Sequence, residues 1–335
     1  MKKILAMSLS LVMVISLLVG CSTGGAAVKT GFAVVASLGK STNAAADAEG
    51  LAETDSLFAA VLVDKDGKIV DCKIDSVQTK VNFTTEGKLT TDVASTFKTK
   101  NELGTEYGMS SASAIGKEWN EQAAAFAKYC VGKTVDQIKG IAVNEEGKAG
   151  DADLAASVTV HIGDFIEAVA QAVESSADKG AKEGDKLGVA AATDISKSTE
   201  VTAEAEGLAQ SYSNFAVVTV DKNNKITSCL IDAIQGNVNF SAEGVISTDL
   251  TVAPQAKQVL KEAYGMKKAS SIGKEWYEEA NAFADYCVGK TADEVKGIAL
   301  NDQGLAADAD LAASVTVHVG PFIANVDKAV ADATK

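Results

Sequence analysis

The chain repeats itself at a constant offset, and this constrains its architecture more than any other feature. Asp64-Lys65-Asp66-Gly67-Lys68-Ile69 returns as Asp221-Lys222-Asn223-Asn224-Lys225-Ile226, 157 positions later. The same offset carries Asn82-Phe83 to Asn239-Phe240, Tyr107-Gly108-Met109 to Tyr264-Gly265-Met266, and Ile115-Gly116-Lys117-Glu118-Trp119 to Ile272-Gly273-Lys274-Glu275-Trp276. It also carries Ala155-Ala156-Ser157-Val158-Thr159-Val160-His161 to Ala312-Ala313-Ser314-Val315-Thr316-Val317-His318, with no insertion or deletion on the way. Units this long are domains rather than solenoid repeats, and a chain of 335 residues has room for about two of them. The first unit spans 28–174 and the second 187–335. Residues 175–186 between them are polar and contain glycine, which predicts a flexible linker and two units that fold independently.

The first two dozen residues read as an export signal. Lys2 and Lys3 precede an apolar run from Ile4 to Val19, and Leu18-Val19-Gly20-Cys21 closes it with small residues before a cysteine. The run is short for a hydrocarbon core of about 30 Å and ends at a cleavage-type site, so it predicts a signal peptide over 1–20 rather than a membrane span. Leu-Val-Gly-Cys resembles the lipobox of lipoprotein signal peptides, which implies acylation of Cys21, a polar tether over 21–27, and anchorage to the outer face of the cytoplasmic membrane. Net charge is −14, falling to −16 once Lys2 and Lys3 are removed. So acidic a chain is repelled by nucleic acid and by anionic headgroups, which leaves anchoring to the lipid. An apolar content of 47% with 23% charged residues predicts a globular fold.

Each unit reads as α+β, with an antiparallel sheet and packed helices. Phe58–Val63, a turn at Asp64–Gly67 and Ile69–Ile74 form a hairpin signal, with Asn223-Asn224 at the matching turn. Trp119, Ala123, Phe126, Ala127 and Cys130 recur at helical spacing and predict one apolar stripe between Gly116 and Cys130. Thr134-Val135-Asp136-Gln137 and Thr291-Ala292-Asp293-Glu294 fit a capping box. A last helix carries Phe165, Ile166, Val169 and Val173, and Pro321 sets its start near residue 320 in the second unit.

The sequence contains no Ser-His-Asp set, no glycine-rich phosphate loop and no Cys-His group at metal spacing. Its two histidines, His161 and His318, are one position seen twice and build no zinc site of the usual type. This argues against a self-contained hydrolase.

The segment before each last helix carries the most specific signal: Asp151-Ala152-Asp153-Leu154-Ala155-Ala156-Ser157-Val158-Thr159 and Asp308-Ala309-Asp310-Leu311-Ala312-Ala313-Ser314-Val315-Thr316. It resembles the flavinylation motif of the FMN-binding domain family. That family occurs in peripheral subunits of sodium-translocating NADH-quinone reductase and Rnf-type complexes, and in two-domain lipoproteins of Gram-positive extracellular electron transfer. There an aspartate precedes a Ser/Thr-Gly-Ala-Ser/Thr-x-Ser/Thr string, and a flavin transferase joins FMN through its phosphate to a threonine. The resemblance matches Asp151 and Asp308 to the aspartate, Ala156 and Ala313 to the alanine, and Ser157, Thr159, Ser314 and Thr316 to the hydroxyl positions. Leu154-Ala155 and Leu311-Ala312 replace the first hydroxyl and the glycine. The resemblance implies FMN esterified to Thr159 and Thr316, a membrane electron donor and an external electron acceptor. His161 and His318 are candidates to donate to the flavin or its phosphate. Trp119 and Trp276 either stack on the flavin ring or belong to the core. Cys72, Cys130, Cys229 and Cys287 form one disulfide per unit or remain buried thiols. The alternative function is a cofactor-free ligand-binding or signalling lipoprotein; a third makes the secreted signal-peptide fragment the active, pheromone-type product.

Overall fold

A computed structural model describes residues 25–335; the segment 1–20 expected to be a signal peptide, and Cys21, lie outside the described residues. The fold is α+β. In the first repeat β1 (Ala27–Ser37), β2 (Gly50–Val63) and β3 (Ile69–Phe83) form an antiparallel meander. A two-residue strand β4 (Thr96–Phe97) follows, then helices α1 (Lys100–Leu103), α2 (Trp119–Cys130), α3 (Val135–Lys139), α4 (Ala152–Ala155) and α5 (Gly163–Glu174). After β5 (Ala177–Lys182) the second repeat gives β6 (Lys186–Asp194), β7 (Gly207–Val220), β8 (Ile226–Phe240), α6 (Lys257–Leu260), α7 (Trp276–Cys287), α8 (Ala292–Lys296), α9 (Ala309–Ala312) and α10 (Gly320–Ala333).

Local chemistry explains the elements. The β2–β3 turn is organised by Asp64, whose Oδ1 accepts from the backbone N–H groups of Asp66 and Lys68, each at 2.9 Å. Asp221 does the same in the second repeat, where Asn224 takes the left-handed conformation (φ 58°) that Gly67 takes in the first (φ 75°). Asparagine is among the few residues with a side chain that tolerate it. The predicted helix faces hold: Trp119, Ala123, Phe126, Ala127 and Cys130 are buried along α2. Capping boxes at Thr134 and Thr291 start α3 and α8, and Pro321 lies in the first turn of α10.

Alternate residues of β2 point to different cores. Ala59, Val61 and Val63 face α2 and α5, whereas Phe58, Ala60 and Leu62 pack with Leu187, Val189, Phe215 and Val217 of the second repeat. A further shared core joins Val81 and Phe83 to Val238 and Phe240. The layers are therefore helices, sheet, sheet, helices, with the two sheets back to back. The interface is reciprocal: Ala44 N–H donates to Gly244 O at 2.8 Å, and Val201 N–H, at Ala44 plus the offset, donates to Gly87 O at 3.0 Å. This is the geometry of a two-fold, self-complementary contact.

This arrangement corrects the expectation of a flexible linker between independent units. Ala177–Lys182, within the 175–186 segment, is a strand that pairs antiparallel with the outer edge of β1, with Lys29 opposite Asp178 and Thr30 opposite Ala177. An edge strand left bare would be a template for association, and β5 covers it. The segment also crosses β8 so closely that a Cβ at Gly180 would stand 2.6 Å from Thr227 O. The second sheet is closed differently: β4 of the first repeat pairs with β6, Phe97 opposite Thr193. At the matching place Pro254, which has no N–H to donate, lies beside Val34–Ala36, where β1 pairs with β2 but no strand covers its outer edge among the described residues, β5 reaching only Ala27–Thr30.

Candidate functional site

In the second repeat a cleft of about 380 Å³ opens between β7, the start of α6, the start of α7 and the loop from α9 to α10. Its walls include Tyr212, Lys257, Tyr264, Trp276, Thr316 and His318. The loop is built upward from Asp308, which caps α9 by accepting from the N–H groups of Asp310 (3.1 Å) and Leu311 (3.0 Å). Buried Leu311 and Val315 pin the loop to the core, and Thr316 follows, half-buried at the cleft. Asp151 caps α4 in the same way, with buried Leu154 and Val158 before Thr159.

A buried side chain on α7 fixes the threonine. Glu279 is fully buried, and its carboxylate accepts from Thr316 N–H (2.7 Å), Val317 N–H (3.0 Å), the Thr316 hydroxyl (3.1 Å) and the Ser270 hydroxyl (2.8 Å). Burying a carboxylate is costly unless such donors replace water. In the first repeat Gln122 takes this place: its Oε1 accepts from Thr159 N–H (2.8 Å), Val160 N–H (3.2 Å) and the Thr159 hydroxyl (3.2 Å). Its amide group donates to Ser113 Oγ and Lys117 O. Neither residue was singled out from the sequence, although each is a polar residue on an otherwise apolar helical stripe.

The opposite wall holds a buried cation. Lys257 is 3% exposed, and its Nζ lies 4.2 Å from the Tyr264 ring centre, 4.6 Å from that of Tyr212 and 4.9 Å from that of Trp276. It donates to the Tyr212 hydroxyl at 2.9 Å and forms no ion pair with a carboxylate among the described residues. Burial pushes its pKa down to about 8. Lys100 of the first repeat stands over Tyr107 and Trp119, each at 4.8 Å, and burial lowers it to about 8 also. There Asp55 replaces Tyr212; it pairs with Lys40 at 2.6 Å, while its Oδ1 is buried without a hydrogen-bond partner among the described residues.

The remaining sequence candidates are placed as follows. Ser157 and Ser314 lie on the α4 and α9 ends, their hydroxyls donating to Leu154 O and Leu311 O at 3.2 Å. His161 and His318 are exposed, and the His318 ring lies against the Gly304 turn, its Nδ1 3.1 Å from where a Cβ there would stand. Trp119 and Trp276 are buried, each edge-on to a phenylalanine of the last helix at 5.6 Å and 5.8 Å. They are core residues first, with Trp276 also reaching the cleft. The four cysteines are free and buried, Cys72 hydrogen-bonded to Cys130 and Cys229 to Cys287. No group of residues suited to a metal ion occurs among the described residues, and no helix among them is long and apolar enough to cross a membrane.

Comparison with known proteins yields no match: no family model, no curated protein and no solved structure is significantly similar to this chain.

Proposed function

We propose that this protein is an exported, lipid-anchored electron carrier in which each repeat bears one FMN esterified to Thr159 or Thr316. The observation that carries the reading is the pairing of Thr316 with Lys257 across one cleft: a hydroxyl at a fixed place faces a buried, aromatic-lined cation whose nearest acid, Asp232, acts on it as a charge without forming an ion pair. Such a cleft fits a flat ring that gains negative charge on reduction, with Tyr212, Tyr264 and Trp276 supplying apolar surface. The flavin would supply the redox chemistry. The chain's own residues position it: Glu279 and Gln122 hold the threonine loop, and Lys257 and Lys100 set the local charge. The reading includes acylation of Cys21, a flavin transferase that loads the chain, a membrane donor and an external acceptor.

A cofactor-free binding lipoprotein remains the second reading, favoured by the fact that the Thr159 and Thr316 hydroxyls are already engaged with Gln122 and Glu279. Co-expression with a flavin transferase separates the two. The first reading expects yellow protein whose colour survives denaturation, half of it lost in Thr159→Ala and all of it with Thr316→Ala added. Tryptic peptides spanning residues 151–161 and 308–318 should carry the added mass; if both are unmodified, the second reading stands. Loss on Ser157→Ala and Ser314→Ala instead would shift the attachment by two residues. Cys21→Ser should move the protein from the membrane fraction to the medium.

A further inference from the structure

A second cleft, of about 430 Å³, lies where β1 and β5 of one sheet meet β8, α6 and α7 of the other repeat. At its base is Asp232, 6% exposed. One carboxylate oxygen, Oδ1, accepts from the N–H groups of Ala233 (2.8 Å) and Gln258 (3.1 Å). Among the described residues no side chain hydrogen-bonds the other oxygen, Oδ2, while the Lys257 backbone N–H and ammonium act on the carboxylate from the start of α6.

The equivalent place in the first repeat shows what is missing. Asp75 also receives two backbone N–H groups, from Ser76 (2.7 Å) and Asn101 (3.0 Å), and the nearby Thr99 hydroxyl in addition draws its pKa down. Beside it, Lys73 and Asp332 pair at 2.7 Å, and Lys328 pairs with Glu102 at 2.6 Å. These groups divide the equivalent space in two, about 190 Å³ at Asp75 and about 400 Å³ on the far side, lined by Lys73, Asn101, Asn120 and Asp332 but not by Asp75. Applying the repeat offset, Thr99 becomes Ala256 and Lys73 becomes Leu230, while Ser175 stands where Asp332 does. Each replacement removes a charge or a donor, which leaves Asp232 buried without the partners its twin has.

A third observation concerns the rim. Lys261 lines the cleft with φ 47° and ψ −118°, a strained conformation for a residue with a side chain, whereas its counterpart is Gly104 at φ 51°. Backbone strain of this kind concentrates at ligand sites. Lys261 forms no ion pair among the described residues. Of the other polar groups, the Tyr277 hydroxyl donates to Glu262 at 3.0 Å, Asn281 accepts from Gln258 at 3.1 Å, and Lys179 lies 4.0 Å from Asp285. One carboxylate oxygen and one ammonium group are thus left free in a single cleft.

The geometry points to a binding site for a small zwitterion of the α-amino acid class, with its ammonium group on Asp232 Oδ2 and its carboxylate on Lys261. Opposite charges on the ligand match the opposite charges of the cleft; a lone amine would face Lys261 and Lys179, and a lone acid would face Asp232. Burial raises the Asp232 pKa to about 7, so docking of an ammonium group at neutral pH ionises the acid and releases a proton. The ligand would touch none of the flavin-cleft residues, although the Lys257 ammonium, which faces that cleft, also draws the Asp232 pKa down; Asp232→Asn is read by amino-acid binding and Thr316→Ala by flavin content, so the two readings fail separately.

Titration calorimetry of the mature chain with the common L-amino acids, one at a time, and with n-butylamine and butyrate as single-charge controls, tests this. At least one amino acid should give saturable heat that scales with buffer ionisation enthalpy, and both controls should bind at least about tenfold more weakly. Asp232→Asn should weaken binding about tenfold or more, and Asp75→Asn should leave it unchanged. Leu230→Lys with Ser175→Asp, which recreates the ion pair of the first repeat without touching Asp232, should abolish it. Absence of saturable binding by every amino acid, equal binding by butyrate or n-butylamine, or undiminished binding in the Leu230→Lys, Ser175→Asp variant overturns the proposal.

Discussion

Phe83 and Phe240 stack face to face, their ring centres 4.2 Å apart and their planes 11° from parallel. They are one position of the repeat seen twice, so their contact marks the local two-fold axis. Both are fully buried, and neither is covered within its own repeat alone. Phe83→Ala should therefore destabilise the whole chain by about 3–5 kcal/mol. Unfolding should remain one cooperative transition by calorimetry, and each half expressed alone should bind a hydrophobic dye and melt without a sharp transition. Two resolved transitions would show that the shared core does not couple the halves.

Titration of the buried groups should give stability a trough near neutral pH. Asp75 and Asp232 are raised to about 7 by burial, from an ordinary value near 4. A carboxyl raised on folding holds its proton more tightly folded than unfolded, so its contribution is full at low pH and is lost as pH rises through 7. Lys100 and Lys257 are lowered by burial to about 8 from 10.5. The unfolded chain then binds more protons, so stability returns as pH rises from about 8 towards 10. Each group contributes a slope of up to about 1.4 kcal/mol per pH unit across its window. Urea midpoints measured from acid to alkaline pH test this, and Asp75→Asn with Asp232→Asn should flatten the acid side only.

Glu279→Gln should fold and melt nearly as the native chain does, because Gln122 performs the same bonding in the first repeat. Glu279→Ala orphans the N–H groups of Thr316 and Val317 in a buried place, at a cost of about 1–3 kcal/mol for each unpaired group. Its flavin content after co-expression with the transferase should fall at the second site only, as read from the peptide masses.

The four thiols should resist iodoacetamide in the native state. Cys72 and Cys229 are buried and each donates its S–H to the neighbouring cysteine, which raises their pKa values well above the ordinary range and withholds the reactive thiolate. Denaturation without reductant should expose all four to labelling; if none labels, the pairs are disulfides in the exported protein.

Much of each repeat was legible because its signals are local. The Asp64 turn, the α2 stripe, the capping boxes and Pro321 each act within a few residues, and the structure follows them. The contact between the sheets was also written in the sequence, in a less direct form. Phe58-Ala59-Ala60-Val61-Leu62-Val63 does not alternate with polar residues, as a strand with one wet face would, and both of its faces are buried. The strand in residues 175–186 carried no such signal: its side chains are mostly exposed, and backbone pairing with β1 defines it. Lys100 and Lys257 were equally silent, because a buried lysine differs from an exposed one only in what lies around it in space. The fold thus follows from periodicity and capping, whereas the candidate sites depend on juxtapositions between distant segments.

The asymmetry around Asp75 and Asp232 has a consequence for how such a molecule can change. In an association of two identical chains, every substitution occurs twice, once on each side of the axis, and no cavity can be stoppered on one side and open on the other. Joined in one chain, the halves keep their mutual fit through Phe83 and Phe240 while each wall diverges alone. Lys73 with Asp332 partitions one side and walls off Asp75, and Leu230 with Ser175 leaves the other in one piece around Asp232. One half can serve as the keystone that holds its twin in shape, and the twin is then free to acquire a different ligand.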